Sequence, residues 1–154
     1  AQGDGLESPL ISTYPTSVMP NRPTIALVIG SFHKNSCEAM VSAALATAAE
    51  AGLDVREQVW VPGSMEKPLA VKRLLTRNNI DGAVVLGIIE RGETAHGRVM
   101  GQAVIQALIG LQLETGKPVG IGILGPEILP DQIPPRLVPY AQDAVRAVHA
   151  MLAE

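Results

Sequence analysis

The sequence predicts an α/β protein in which four mostly parallel strands are sandwiched between helices on both faces. Three observations carry this reading. Short β-branched apolar runs alternate with longer stretches of helical period. The runs close on glycine or on polar loops. Hydrophobic residues form 47% of the chain but aromatic residues only 3%, so the core must be built from Ala, Val, Ile and Leu in closely spaced layers.

Residues 1–23, AQGDGLESPLISTYPTSVMPNRP, carry four prolines and no helical period, which predicts an extended arm. Its run SPLISTY is either an unpaired tail or an edge strand exchanged with a neighbouring subunit. TIALVIG, from Thr24, is the first strand. Asn35 or Ser36 is placed to cap the following helix, with Glu38 in its first turn. Cys37, Met40, Val41, Ala44, Leu45 and Ala48 then recur at helical spacing as far as Gly52. DVREQVWVPG alternates into Val59, Trp60 and Val61 as a second strand, and Pro68 suits the first turn of a helix carrying Leu69, Ala70, Leu74 and Leu75.

GAVVLGII is a third, buried strand. The helix from about Arg98 to Thr115 carries one stripe of Met100, Ala103, Val104, Ala107, Leu108 and Leu111, and another of Ile105, Ile109 and Leu113. Two apolar stripes predict burial on two sides, against the sheet and against a partner subunit. PVGIGILG is the fourth strand, followed by the loop PEILPDQIPPRLVP and a last helix with Ala141, Ala144, Val145, Val148, Met151 and Leu152 on one side. Four strand–helix repeats imply right-handed crossovers and a three-layer, flavodoxin-like α/β/α sandwich of strand order 2-1-3-4 over residues 24–154.

The totals exclude several classes. A net charge of −3 with scattered basic residues gives no general attraction for nucleic acid or anionic lipid. Cys37 is the only cysteine, so no internal disulfide can form, and no Cys/His cluster has zinc spacing, so no metal is expected. The chain has no run near the roughly 20 apolar residues of a membrane span and no signal-peptide pattern at its start. A cytoplasmic setting is the expectation.

In such a sheet ligands sit beyond the carboxyl ends of the strands where strand order reverses, here between the first and third strands. The loops at that end are GSFHKNS, VPGSMEKP, ERGETAHG and GPEILPDQIPPR. Phe32, the only phenylalanine, either stacks on a flat heterocycle or closes the core. Gly92, Glu93 and Thr94 precede a long helix, so their N–H groups and the Thr94 hydroxyl either cradle a phosphate or serve as caps. Arg136 is suited to that phosphate through paired hydrogen bonds or is an ordinary surface arginine. His96 has the pKa range of a proton shuttle. Glu66 either caps a helix or accepts bonds from substrate hydroxyls.

Taken together, VPGSMEKPLAVKRL, VVLGIIERGETAHGRV and LQLETGKPVGIGILGPE resemble the lumazine synthase family, particularly its archaeal-type members, in order and spacing over residues 24–154. The resemblance implies condensation of 5-amino-6-(ribitylamino)uracil with 3,4-dihydroxy-2-butanone 4-phosphate, the penultimate step of riboflavin biosynthesis, without cofactor. It implies that Phe32 stacks on the pyrimidine and that Ser64 and Glu66 bind the ribityl chain. Met65, Ile88, Ile89 and Ile121 complete the substrate contacts, Ile121 by reaching a neighbour's site. Gly92, Glu93, Thr94 and Arg136 would hold phosphate and His96 would transfer protons. It further implies a homopentamer, in some members assembled into a 60-subunit shell. The chain departs from the family pattern in Met65 for an aromatic residue, Lys67 for an apolar one, Gly97 and Arg98 after the histidine, and RLVPYAQ for a glycine- and lysine-rich turn. Competing readings are an archaeal-type riboflavin synthase, a non-catalytic assembly protein on the same fold, and a flavodoxin-type flavin- or nucleotide-binding module.

Overall fold

The computed structural model describes residues 22–153. Apart from Arg22 and Pro23, the expected N-terminal arm and its exchanged strand lie outside the described residues. The elements are β1 (Thr24–Gly30), α1 (Lys34–Ala51), β2 (Asp54–Val61), α2 (Lys67–Leu75), β3 (Gly82–Glu90), α3 (His96–Thr115), β4 (Val119–Ile128) and α4 (Leu137–Leu152). The four strands form one parallel sheet of order β2-β1-β3-β4, as expected. Ile25 pairs with Gly82 and Ile29 with Leu86, which sets the two central strands side by side.

Side chains along a strand alternate between faces, and the central strands are apolar at nearly every position, so each face has its own core. Ile25, Leu27, Ile29, Val84, Leu86 and Ile88 pack with Met40 and Ala44 of α1 and with Ala141, Val145 and Val148 of α4. Ala26, Val28, Ala83, Val85 and Ile89 pack with Val71 and Leu74 of α2 and with Val104 and Leu108 of α3. Burying such aliphatic side chains supplies about 1.5–3 kcal/mol each. β2 is one of the sheet's two edges and is half-buried to exposed until Val61, consistent with its alternating polar pattern.

Several local expectations are corrected. α1 starts at Lys34, one residue before the expected cap. His33 occupies the N-cap in left-handed backbone (φ 57°) without a side-chain cap bond, and Glu38 falls outside the first turn. In α2, Val71 is buried and Leu69 is exposed, because the helix begins at Lys67 and turns Lys67, Val71 and Leu74 inward. α3 begins at His96, and its sheet-facing stripe narrows to Gly101, Val104, Leu108 and Leu111. Ala103 and Ala107 are exposed. β4 continues past Gly125 to Ile128, and α4 begins at Leu137, inside the expected loop. Two short 3₁₀ turns, Pro130–Gln132 and Pro134–Arg136, connect them. Met151 faces outward.

Candidate active site

The crevice between the carboxyl ends of β1 and β3 opens as a cleft of about 370 Å³, lined by Phe32, Pro62, Gly63, Ser64, Ile88, Ile89, Glu90, Gly92, Thr94, His96, Gly97 and Met100. The chain places these groups there because each strand runs apolar to its end and then breaks into polar residues. β3 is buried through Ile89 and only half-buried at Glu90. The loop Arg91–Ala95 then carries the chain outward to the start of α3.

Phe32 lies just beyond β1 with 53% of its surface exposed, so it does not close the core. Its ring meets that of His33 edge-on at 4.3 Å, and His33 Nε2 lies 3.1 Å from Glu90 Oε2. This contact ties the loop after β1 to the end of β3. His33 and Glu90 were not among the expected site residues; only their positions at two adjacent strand ends connect them.

His96 is the first residue of α3, rather than a loop residue, and is exposed toward the cleft. Its N–H lies 3.3 Å from Thr94 Oγ1, which accepts it, so Thr94 does serve as a local cap. A 20-residue helix leaves its first N–H groups without intrahelical acceptors and presents a partial positive charge at this end. The cleft therefore combines a stackable ring, apolar walls, an anion-favouring helix start and one imidazole. That set suits a flat polar ring joined to a phosphorylated or otherwise anionic partner.

Ser64 forms part of the cleft wall and is buried, and its Oγ accepts a hydrogen bond of 3.1 Å from Lys67 Nζ. Lys67 is 1% exposed, the largest of the fully buried side chains. Its ammonium passes between two glycines at the strand ends. A Cβ at Gly30 would stand 3.2 Å from Nζ, and one at Gly87 would overlap it. Burial pushes the Lys67 pKa down to about 8, against the raising influence of Cys37 and Glu66. Burial also pushes the Cys37 thiol up, opposed by Lys67. The signal for this inward lysine is in the sequence: Lys67, Val71 and Leu74 share one helical face.

The remaining expected residues lie elsewhere in the single chain. Met65 and Glu66 face a neighbouring groove beside β2, with Leu69 and Arg73. Ile121 of β4 packs against the core under α2 and α3 and borders a separate groove with Tyr140 and Ala144. Glu93 is exposed outside the cleft lining. Arg136 is exposed and donates from Nη1 to the Gln132 carbonyl at 2.9 Å. Phe32, Ser64, Ile88, Ile89, Gly92, Thr94 and His96 are thus brought together, while Met65, Glu66, Glu93, Ile121 and Arg136 are not.

A larger depression of about 780 Å³ lies at the opposite ends of the strands, beside Thr24, Asp54 and Asp81. Its carboxylates already serve the chain: Asp81 accepts the Thr24 N–H at 2.7 Å, and Asp54 pairs with Arg56 at 3.0 Å. The carboxyl-end cleft is the stronger candidate because it joins an exposed aromatic ring, an imidazole and a helix start at the switch point of the sheet.

Comparison with known proteins gives one consistent answer. The family model for 6,7-dimethyl-8-ribityllumazine synthase matches residues 22–154. The chain is 40% identical to the 6,7-dimethyl-8-ribityllumazine synthase of Methanopyrus kandleri, over 83% of this chain and 90% of that protein. It is 37% identical to the enzyme of the same name from Staphylothermus marinus, over 83% and 85% of the two chains. The identity to that of Methanococcus maripaludis strain C5 is 37%, over 83% and 93%.

Proposed function

The chain belongs to the 6,7-dimethyl-8-ribityllumazine synthase family, and from that premise we propose which of its residues carry out the family's reaction. The reaction condenses 5-amino-6-(ribitylamino)uracil with 3,4-dihydroxy-2-butanone 4-phosphate, loses phosphate and water, and yields the lumazine precursor of riboflavin. The observation that carries the assignment is the gathering of Phe32, Ser64, Gly92, Thr94 and His96 around one cleft at the switch point of the sheet.

Phe32 stacks on the pyrimidine, whose flat face is matched by the exposed ring and by the apolar wall of Ile88 and Ile89. The phosphate of the second substrate sits at the start of α3, where Gly92, Glu93 and Thr94 offer N–H groups and a hydroxyl and the helix dipole favours the anion. With both substrates so held, attack of the ring amine on the ketone is a matter of approach and orientation. His96 then moves protons at each stage. It takes one from the attacking amine, assists departure of water and phosphate, and returns one during closure by the second amine. No step needs a covalent bond to the protein.

Arg136, Ile121, Met65 and Glu66 act, on this reading, in a cleft shared between subunits of a homopentamer. Its support is that none of them lines the chain's own cleft and that the apolar side chains of Ile109 and Leu113 on α3 are exposed. The expected setting is cytoplasmic; no helix among the described residues is long and apolar enough to cross a membrane.

The test is to mix the purified chain with both substrates and follow lumazine absorbance and fluorescence. Product formation well above the uncatalysed reaction is expected, and its absence would overturn the proposal. Native mass spectrometry should show five subunits or a multiple of five, and a monomer would remove the shared cleft.

A further inference from the structure

Lys67 is a buried cation that the reaction as assigned does not use. It arises from the first residue of α2 and ends at the switch point of the sheet, with its ammonium against Gly30 and Gly87 and on Ser64 Oγ. A charged group in such a place costs stability unless it is well paired. Its one hydrogen bond among the described side chains is the one to Ser64, a residue of the cleft wall.

That bond has a direction. An ammonium has only protons to give, so the Ser64 oxygen must accept, and the hydroxyl proton is left free to be donated elsewhere. Ser64 accepts from Lys67 and also lines the cleft, together with Pro62, Gly63 and Ile88. We propose that Lys67 is a positioning residue that fixes Ser64 as a hydrogen-bond donor to the heterocyclic substrate, tuning the cleft to a ring that presents a carbonyl or anionic oxygen there. The inference rests on the placing of Ser64 in the substrate cleft proposed above, and directs its hydroxyl to the ring rather than to the ribityl chain that the family resemblance implies. It adds the polarity of that contact and the group that sets it.

Two features of the fold are explained by this role. Glycine at positions 30 and 87 gives the ammonium its passage, since a side chain at Gly87 would overlap it. A nearby positive charge also strengthens the Ser64 O–H as a donor, because hydrogen bonds polarise one another in a low-dielectric setting. Once Lys67 loses its proton, its nitrogen can accept from Ser64 and draw the hydroxyl away from the cleft. Burial brings that change down to about pH 8. The ionisable groups acting on Lys67 are the Cys37 thiol of α1 and the Glu66 carboxylate of the preceding turn. Both favour the charged lysine, so neither imposes the loss.

The test is equilibrium binding of 6,7-dimethyl-8-ribityllumazine, the product ring, followed by its fluorescence from pH 6.5 to 9.5 (roughly the window around the Lys67 transition). It uses the full chain, Lys67→Met, Ser64→Ala and the double variant. Lys67→Met keeps the volume and removes the charge, and thermal melts check that each variant is folded. For the full chain, we expect binding to weaken on the order of threefold to tenfold through pH 8, beyond any change due to ionisation of the ring itself. In Lys67→Met that step should vanish, with binding already weakened at pH 7, and the double variant should bind no more weakly than Ser64→Ala alone. Identical pH profiles in the full chain and Lys67→Met, or additive losses in the double variant, would overturn the inference. The functional assignment fails separately. Binding with its pH step intact but no turnover would overturn the reaction and leave Lys67's role standing, whereas no binding at any pH would overturn both.

Discussion

The two faces of the sheet solve opposite problems. Under α1 and α4 the strands present Ile25, Leu27, Ile29, Leu86 and Ile88 to an apolar layer with Met40, Val145 and Val148. Under α2 and α3 the same strands carry Gly30, the last residue of β1, and Gly87, near the end of β3, and the space their missing side chains leave is taken by the ammonium of Lys67. Apart from Ile88 at the cleft wall, the first face is packed for stability. The second gives up part of that stability to hold a charge beside a cleft, a pattern expected where local rules of core packing yield to a site. The candidate crevice is made as much by what the strands lack near their ends as by what the loops supply.

Three substitutions sharpen the contrast. His96→Ala, on the cleft side, should slow turnover on the order of 10²–10⁴-fold, equivalent to about 3–5 kcal/mol of barrier, while leaving the melting temperature within a few degrees. An unchanged kcat would remove His96 from proton transfer. Leu27→Ala, on the opposite face, should do the reverse. Leu27 is fully buried, so the loss should be roughly 2–5 kcal/mol of unfolding free energy, read by denaturant titration, with the KM of the folded enzyme unaltered. A large KM change would mean that the two faces are not separable.

Lys67→Met should stabilise the protein. The Lys67 pKa stands at about 8 in the fold against an ordinary value of 10.5, so between those values the unfolded chain binds more protons and stability rises with pH. Below about pH 8 the penalty is fully present, about 3 kcal/mol from the size of the shift; above about 10.5 it is gone. The variant should therefore exceed the parent in unfolding free energy near pH 7 by up to that amount, less about 1 kcal/mol for the lost bond to Ser64. The gap should close as the pH climbs toward 10.5. A variant less stable than the parent at pH 7 would show that Lys67 is favourably solvated in place.

How far the sequence could be read depended on whether local pattern or distant contact decided the matter. TIALVIG and GAVVLGII are apolar at nearly every position, the pattern of strands covered on both faces, so their place between two helix layers was legible. The start of α1 was not. Asn35 and Ser36 are good caps by type, yet His33 in left-handed backbone takes that position, within a loop also held by the contact with Glu90, 57 residues away. Ala103 and Ala107 fit the inner stripe of α3 by spacing but are exposed, because alanine carries too little apolar surface to set a helix's rotation against Val104 and Leu108. That Phe32, Thr94 and His96 stand at the cleft could be read from their loops. The place of Glu90 could not, since a glutamate ending a strand is ordinary there; Lys67 shares a helical face with Val71 and Leu74, yet a lysine opening a helix ordinarily points to solvent.

By itself, the sequence determined the alternation of strands and helices, the strand order, the end of the sheet where chemistry gathers and the family to which the chain belongs. These follow from hydrophobic period, chain connectivity and motif order, all of which are local or topological. Only the tertiary structure decided that Lys67 turns inward between Gly30 and Gly87 onto Ser64, that His33 meets Glu90, and that Arg136 and Ile121 lie away from the chain's own cleft. Those facts depend on which side chains fill the space between elements far apart in sequence, and that space exists only once the sheet and helices have packed.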